Sequence, residues 1–225
     1  MTILDEIPLR IDEGALRQRL CIGEEGEDAA AVRSMAESAE AAARPKAMYR
    51  TAYIDSRDGD TLVIDGVSFH SRVMAKNLEG RYKVWPYIAT CGMELYGWVQ
   101  GFADPLERYW AEAIMEAALR CAVGALEQHL RAHAFAGRTA VLSPGSLPDW
   151  PTHAQPDLFA LLGNPAQAIG VTLTESLMMV PNKSVSGLRF PNDTGFASCR
   201  LCRRNTCPGR SAEFDEELHA ETFGE

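Results

Sequence analysis

Residues 169–190 read IGVTLTESLMMVPNKSVSGLRF. Two apolar runs, Ile169–Leu173 and Leu177–Val180, are separated by the polar triplet Thr174-Glu175-Ser176. Pro181-Asn182-Lys183 then turns the chain into Ser184–Phe190. Short apolar runs bounded by Pro, Asn and Gly fit buried strands joined by turns, so the stretch is expected to form a core strand assembly.

Upstream, Tyr49–Ile54 roughly alternates and Ser56-Arg57-Asp58-Gly59 reads as a turn. Thr61–Ile64 and Val67–Phe69 flank Asp65-Gly66, a pair that accepts the positive φ of a type I′ hairpin turn. Tyr82–Ala89 predicts a further strand ending at Thr90-Cys91-Gly92, and Thr139–Leu142 another that feeds Pro144-Gly145. The clearest helix start lies between them. Asp104 can cap, Pro105 suits the first helical position and Glu107 completes a capping box, which predicts a helix from Pro105 to about His133. Alanines 111, 113, 117, 118, 122 and 125 with Gly124 thin its surface, and Leu106, Trp110, Ile114 and Leu126 supply bulk. Thr152 and Gln155 predict a second capping box before Leu158, Phe159, Leu161 and Leu162, with Gly163 as the stop.

Residues 1–45 predict a helical N-terminal appendage, with a thin apolar face of alanine, Val32 and Met35, ended at Pro45. It is expected to pack on the main domain or to serve as a partner-binding arm. The expected organisation continues with an α+β domain over 46–198, a cysteine segment at 199–210 and an acidic tail at 211–225.

The chain of 225 residues, 46% hydrophobic and 24% charged, is long enough for a sizeable core. No apolar run approaches a membrane span, and the opening MTILDEIPLRIDEGALRQRL lacks the apolar region of a secretory signal. A net charge of −9 argues against nucleic-acid binding, which needs a basic footprint. A cytoplasmic location is expected. In that reducing setting the six cysteines are expected to be metal ligands, reactive thiols or small buried hydrophobes.

Cys199, Cys202 and Cys207 form C-x2-C-x4-C, with Pro208, Gly209 and Arg210 directly after. A C-x-x-C pair lets two thiolates converge on one metal, and the third closes a face of the shell. Either a fourth ligand joins from elsewhere or an open position remains for a small ligand. Cys91 ranks first as fourth ligand, then Cys21, then Cys121, which sits on a thin helical face. Zinc, an iron–sulfur cluster (four-iron, four-sulfur) and no metal all stay open. Paired C-x-x-C units would favour zinc, whereas Cys207-Pro208 resembles the ending of ferredoxin cysteine runs. Arg200, Arg203, Arg204 and Arg210 can lower thiol pKa, offset thiolate charge or dock an acidic partner.

LTES with P-x-x-SVSG after it resembles the activation domain of cobalamin-dependent methionine synthase. Ser143-Pro144-Gly145, Asp149-Trp150-Pro151 and LFALLG are similar to that family's proline-glycine segment and the helix after it. The resemblance spans roughly Tyr49 to Phe190 and is concentrated from Ser143 onward. It implies an α+β, activation-domain-like fold, with an antiparallel sheet, a long central helix and a helical N-terminal appendage. It also implies a stand-alone protein serving a corrinoid protein or methyltransferase subunit, with cobalamin reached through that partner. Gly145, Glu175, Ser184, Ser186 and Arg189 become the candidate cofactor-binding positions.

In the family, S-adenosylmethionine is held partly by an arginine four residues before the glycine of the proline-glycine step and by a tyrosine directly after it. Those places hold Val141 and Ser146 here. A second tyrosine falls on Arg189, and an acidic residue of the long helix aligns near Val123. A carboxylate taken from water needs a charged partner, so poor S-adenosylmethionine binding, or none, is expected. Three functions stand as expectations: reductive activation of a corrinoid methyltransferase through a cysteine-ligated iron–sulfur cluster, a non-catalytic zinc-bound or metal-free interaction subunit, and S-adenosylmethionine-dependent reactivation. Ser184 and Ser186 have no histidine–acid pair placed beside them by sequence and are expected to make turn and backbone hydrogen bonds. Met178 and Met179 are expected in the core, and Trp150 is expected to pack.

Overall fold

Asp104 is extended (φ −69°, ψ 129°), and its carboxylate accepts from the Leu106 and Glu107 amides at 2.8 and 3.0 Å. This cap launches a helix over Pro105–His133, the span the sequence predicts. In the computed structural model, which describes residues 1–207 and 209–224, the elements run in chain order β1 (Thr2–Leu4), α1 (Glu13–Leu20), α2 (Glu27–Ala42), β2 (Lys46–Tyr49), β3 (Ala52–Asp58), β4 (Thr61–Ile64), β5 (Val67–His70), α3 (Arg72–Asn77), β6 (Lys83–Thr90), α4 (Met93–Val99), α5 (Pro105–His133), β7 (Thr139–Leu142), α6 (Gln155–Leu162), α7 (Pro165–Ile169), β8 (Thr172–Leu173), β9 (Met179–Val180), β10 (Ser184–Pro191) and α8 (Glu216–Phe223).

The fold is α+β, and β6 is the axis of its main sheet. One side of β6 pairs with β10, which pairs in turn with β7; the other side pairs with β2 and then β3. β1 extends the sheet from β2, while β4 and β5 extend it from β3, all antiparallel. Both faces of β6 are covered, which is why KVWPYIAT carries so little polarity. Trp85, Tyr87 and Ala89 meet Ala122, Leu126 and Leu130 of α5. On the opposite face Ile88 and Leu188 lie in a core with Trp150, Leu158, Leu162 and Ile169. The N-terminal half of α5 joins α1, α2 and α4 in a third cluster, where Val32 and Met35 are buried. Alanines 111, 113, 118 and 122 of α5 are buried, which lets neighbouring elements approach closely. Trp150 packs edge-on against Phe69. The Asp65-Gly66 turn has the positive φ angles (43° and 80°) its sequence calls for.

Four expectations are corrected. Tyr49–Ile54 is not one strand: it breaks at Arg50-Thr51, where Arg50 reaches Asp65 at 2.5 Å and the Leu161 carbonyl at 3.1 Å. Leu106 does not supply bulk to the core, because it lies in the first turn of α5 and is half exposed. Thr152 and Gln155 do not form a capping box. Thr152 opens a 3-10 turn, Gln155 is the first residue of α6, and its side chain reaches inward instead.

The fourth correction concerns residues 169–180. Asn164 caps the short helix α7, and Gly170 ends it at φ 75°. The chain then forms a hairpin of two-residue strands, β8 and β9, outside the main sheet. Its tip is closed by Leu177 N–H to the Thr174 carbonyl (2.9 Å) and Met178 N–H to Thr174 Oγ1 (3.1 Å). Met178 is 61% exposed, against the core position expected for it. Apolar composition does not distinguish a buried strand from a surface hairpin when the run is four residues long.

At the C terminus, α8 lies against α3, and the Arg72 guanidinium donates to the Phe223 carbonyl at 3.0 Å. Among the described residues no helix is long and apolar enough to cross a membrane.

Candidate functional site

The SVSG block is the first half of β10, and its polar groups fasten that strand. Ser184 Oγ donates to Thr90 Oγ1 at 2.8 Å, and the same oxygen accepts from the Gly92 amide at 3.2 Å. Ser186 Oγ accepts from Gln155 Nε2 at 2.8 Å in the interior. Gly187 sits where a Cβ would fall 2.4 Å from the Leu142 carbonyl oxygen and 2.8 Å from Ser143 Oγ. Gly145 has φ +81° and would place a Cβ 2.6 Å from Thr152 Oγ1. Asp149 caps α3, accepting from Ser71 Oγ and the Arg72 and Val73 amides. Glu175 stands apart, exposed at the tip of the β8–β9 hairpin.

The α5-facing side of β10 carries Arg189. Its side chain is 5% exposed, and Nη2 meets Glu127 Oε1 at 2.6 Å. Nη1 donates to Thr139 Oγ1 at 3.3 Å, and the guanidinium lies 5.1 Å from the Tyr87 ring centroid. Burial raises the Tyr87 pKa, partly opposed by Arg189 and by a hydrogen bond with Ser143. Val141 is the cross-strand partner of Arg189, and Val141 and Val123 pack into the same cluster. Three of the four positions that the sequence resemblance assigns to the methionine moiety, Val123, Val141 and Arg189, therefore fall in one region. Two are apolar, and the third is an arginine already paired within the chain. None of these three residues offers an unpaired cation to a carboxylate, because the Arg189 guanidinium is held by Glu127.

The cysteine segment is built around Arg210. Its Nη1 donates to the carbonyls of Cys199 (3.1 Å) and Ala212 (2.9 Å), and its Nη2 to those of Cys202 (2.7 Å) and Arg204 (3.0 Å). One guanidinium thus closes the loop by pinning four backbone oxygens. Cys199 Sγ accepts from both the amide and the hydroxyl of Ser211, each at 3.4 Å. Burial opposes ionisation of Cys199, but donors from Ser211 and Ala212 and the charge of Arg210 outweigh it, so its pKa lies below the ordinary thiol value. Arg200 pairs with Asp215 at 2.5 Å. Sequence reasoning assigns the arginines to thiols or partners and misses the structural task of Arg210 and the donor role of Ser211. A serine directly after C-P-G-R is the available signal.

Cys91 is not brought to this loop. It comes directly after Thr90, which is opposite Ser184 at the start of β10, whereas the cysteine segment leaves beyond Pro191 at the other end. Eight residues of strand separate the two ends by about 25 Å. Cys91 is instead fully buried with Leu95, Trp110 and Ile114, and burial pushes its thiol up to about 12. Cys21 caps α1, and Cys121 lies on α5 beside the Arg10 carbonyl. Among the described residues no three His, Cys, Asp or Glu side chains are gathered as a metal-binding group. Pro208, which gives Cys207-Pro208 its ferredoxin-like ending, lies outside the described residues.

The family profile described as "Vitamin B12 dependent methionine synthase, activation domain" matches residues 99–198. Among solved structures, the crystal structure of the MetH reactivation domain bound to AdoHcy is similar, with a TM-score of 0.63 and 18% identity over 84% of this chain and 70% of that one. No curated protein matches the chain. The long helix against an antiparallel sheet is thus the reactivation-domain fold. Residues 99–198 thus resemble the activation domain of cobalamin-dependent methionine synthase in sequence, and the chain shares the fold of that reactivation domain.

Proposed function

We propose that this protein is an accessory component for reductive reactivation of a corrinoid-dependent methyltransferase, such as a split methionine synthase. In this reading Cys199, Cys202 and Cys207 ligate an iron–sulfur cluster, the SVSG strand shapes the docking face, and cobalamin is reached through the partner. The observation that carries the cysteine assignment is the pair of Ser211 donors on Cys199 Sγ within the Arg210-closed loop. Such donors stabilise a thiolate, and hydrogen bonds to sulfur tune cluster potentials. A bound cluster would supply single electrons at low potential. With Cys91 at the far end of β10, the fourth ligand is left to another group or to a small exogenous ligand.

A second reading rests on the arginine-rich cysteine loop, which could dock an acidic partner without any redox role. The protein would then be a non-catalytic interaction subunit, zinc-bound or metal-free. Anaerobic purification with an absorption spectrum and iron, sulfide and zinc assays separates the two. A brown protein with stoichiometric iron and sulfide, both lost in Cys202→Ser, is the expected result. A colourless protein holding zinc or no metal would leave the interaction subunit standing. Titration with S-adenosylmethionine is expected to give no saturable heat. Micromolar binding would overturn the mismatch at Val141 and Arg189 and restore the third function.

A further inference from the structure

His129 and His133 lie one turn apart on α5, with ring centroids 4.1 Å apart and planes at 21°. His133 Nδ1 is 2.9 Å from the His129 carbonyl oxygen. A carbonyl only accepts, so the proton sits on Nδ1 and the Nε2 lone pair is free. His129 Nδ1 is 3.1 Å from the Tyr49 hydroxyl oxygen. When Nδ1–H donates to that oxygen, the second Nε2 is free as well. Each ring is thus oriented through Nδ1, as in histidines that present Nε2 to a metal.

Both rings line a cleft of about 480 Å³ between α5 and the segment after β1, together with Gln128, Asp5 and Glu6. Asp5 and Glu6 are exposed, and neither carboxylate has a hydrogen-bond or ion-pair partner among the described residues. We propose that this cleft is a divalent transition-metal site, with His129 and His133 Nε2 as the anchoring pair and Asp5 or Glu6 as the third ligand.

Two imidazoles at i, i+4 with one carboxylate form a donor set suited to zinc or nickel, whereas calcium and magnesium prefer oxygen alone. The donors do not already stand as a group of three, so a carboxylate has to swing onto the histidine pair. Metal binding then ties the segment after β1 to the end of α5. This site is independent of the cysteine loop and of the reactivation reading.

The test is calorimetric titration of the full chain with Ni²⁺ after chelator treatment, in a Cys199→Ser, Cys202→Ser, Cys207→Ser background that removes loop thiols. One equivalent is expected to bind, with affinity falling at least ~10-fold in His133→Ala, as loss of a metal's supporting group does. Ni²⁺ is expected to raise the melting temperature of the parent and not that of His133→Ala, whose exposed side chain can be removed without opening the core. Combined Asp5→Asn and Glu6→Gln is expected to weaken binding while leaving the two-histidine anchor. Equal affinity in His133→Ala, or no saturable binding to millimolar Ni²⁺, overturns the site. Unchanged affinity in the carboxylate variant overturns the third ligand and so the proposed donor set.

Discussion

Gly187→Ala is expected to destabilise the protein by ~3 kcal/mol, the upper end for overpacking a tight interior. The added methyl group meets the backbone carbonyl oxygen of Leu142 at 2.4 Å, Ser143 Oγ at 2.8 Å and Tyr87 Cε1 at 3.2 Å. Ser143 can rotate, but the Leu142 carbonyl cannot leave without moving β7 off β10. That strand pairing also positions Val141 opposite Arg189. For a chain of this size the loss corresponds to a fall in melting temperature of roughly 6–12 °C. Gly124→Ala is the control: an added Cβ there meets nothing within 4 Å on α5, and alanine favours a helix interior by ~0.5–1 kcal/mol. Equal melting temperatures for the two variants would show that β7 and β10 do not approach as described. The glycine of SVSG therefore has a physical reason independent of any ligand.

Arg210→Met is expected to open the cysteine loop while leaving the main sheet folded. It removes hydrogen bonds to the carbonyls of Cys199, Cys202, Arg204 and Ala212 together, and bonds from a charged donor contribute roughly 1.5–3 kcal/mol each before non-additivity and solvent exposure reduce them. Local opening need not lower global stability, because regions open in separate cooperative units. Limited proteolysis is expected to cut the variant within residues 199–215 and to spare the parent. In the chelator-treated, reduced parent, Cys199 is expected to alkylate at lower pH than an ordinary thiol, because thiolate is the nucleophile and its pKa is held down. In Arg210→Met that profile shifts to higher pH as the Ser211 donors and the positive charge move away. Cys91, buried and pushed up to about 12, is expected to stay unlabelled in both. A parent and variant with the same cleavage and the same Cys199 profile would remove Arg210 from its place at the centre of the loop.

The sequence by itself determined the elements whose signals are local. Asp104-Pro105 fixed the start of α5, Asp65-Gly66 fixed the hairpin, and Tyr82–Ala89 was legible as the strand that became β6. The SVSG block marked β10 and the fold it belongs to. Cap, turn and burial patterns are short-range physics and can be read from neighbouring residues.

Only the tertiary structure decided what depends on register. Antiparallel pairing put Cys91 at the opposite end of β10 from Cys199, although residue type alone offers both to one metal. Arg189 reached Glu127 across 62 residues of sequence, and Gln155 reached Ser186 across 31, because strand order brought them together. The β8–β9 hairpin left Met178 in solvent because its short strands pair with each other outside the main sheet. Tyr49 beside His129, and Asp5 and Glu6 across the cleft from the histidine pair, likewise result from where β1 and β2 lie against α5. Local composition carries no information about which distant element will cover a residue, so these groups could be named from the sequence but not joined.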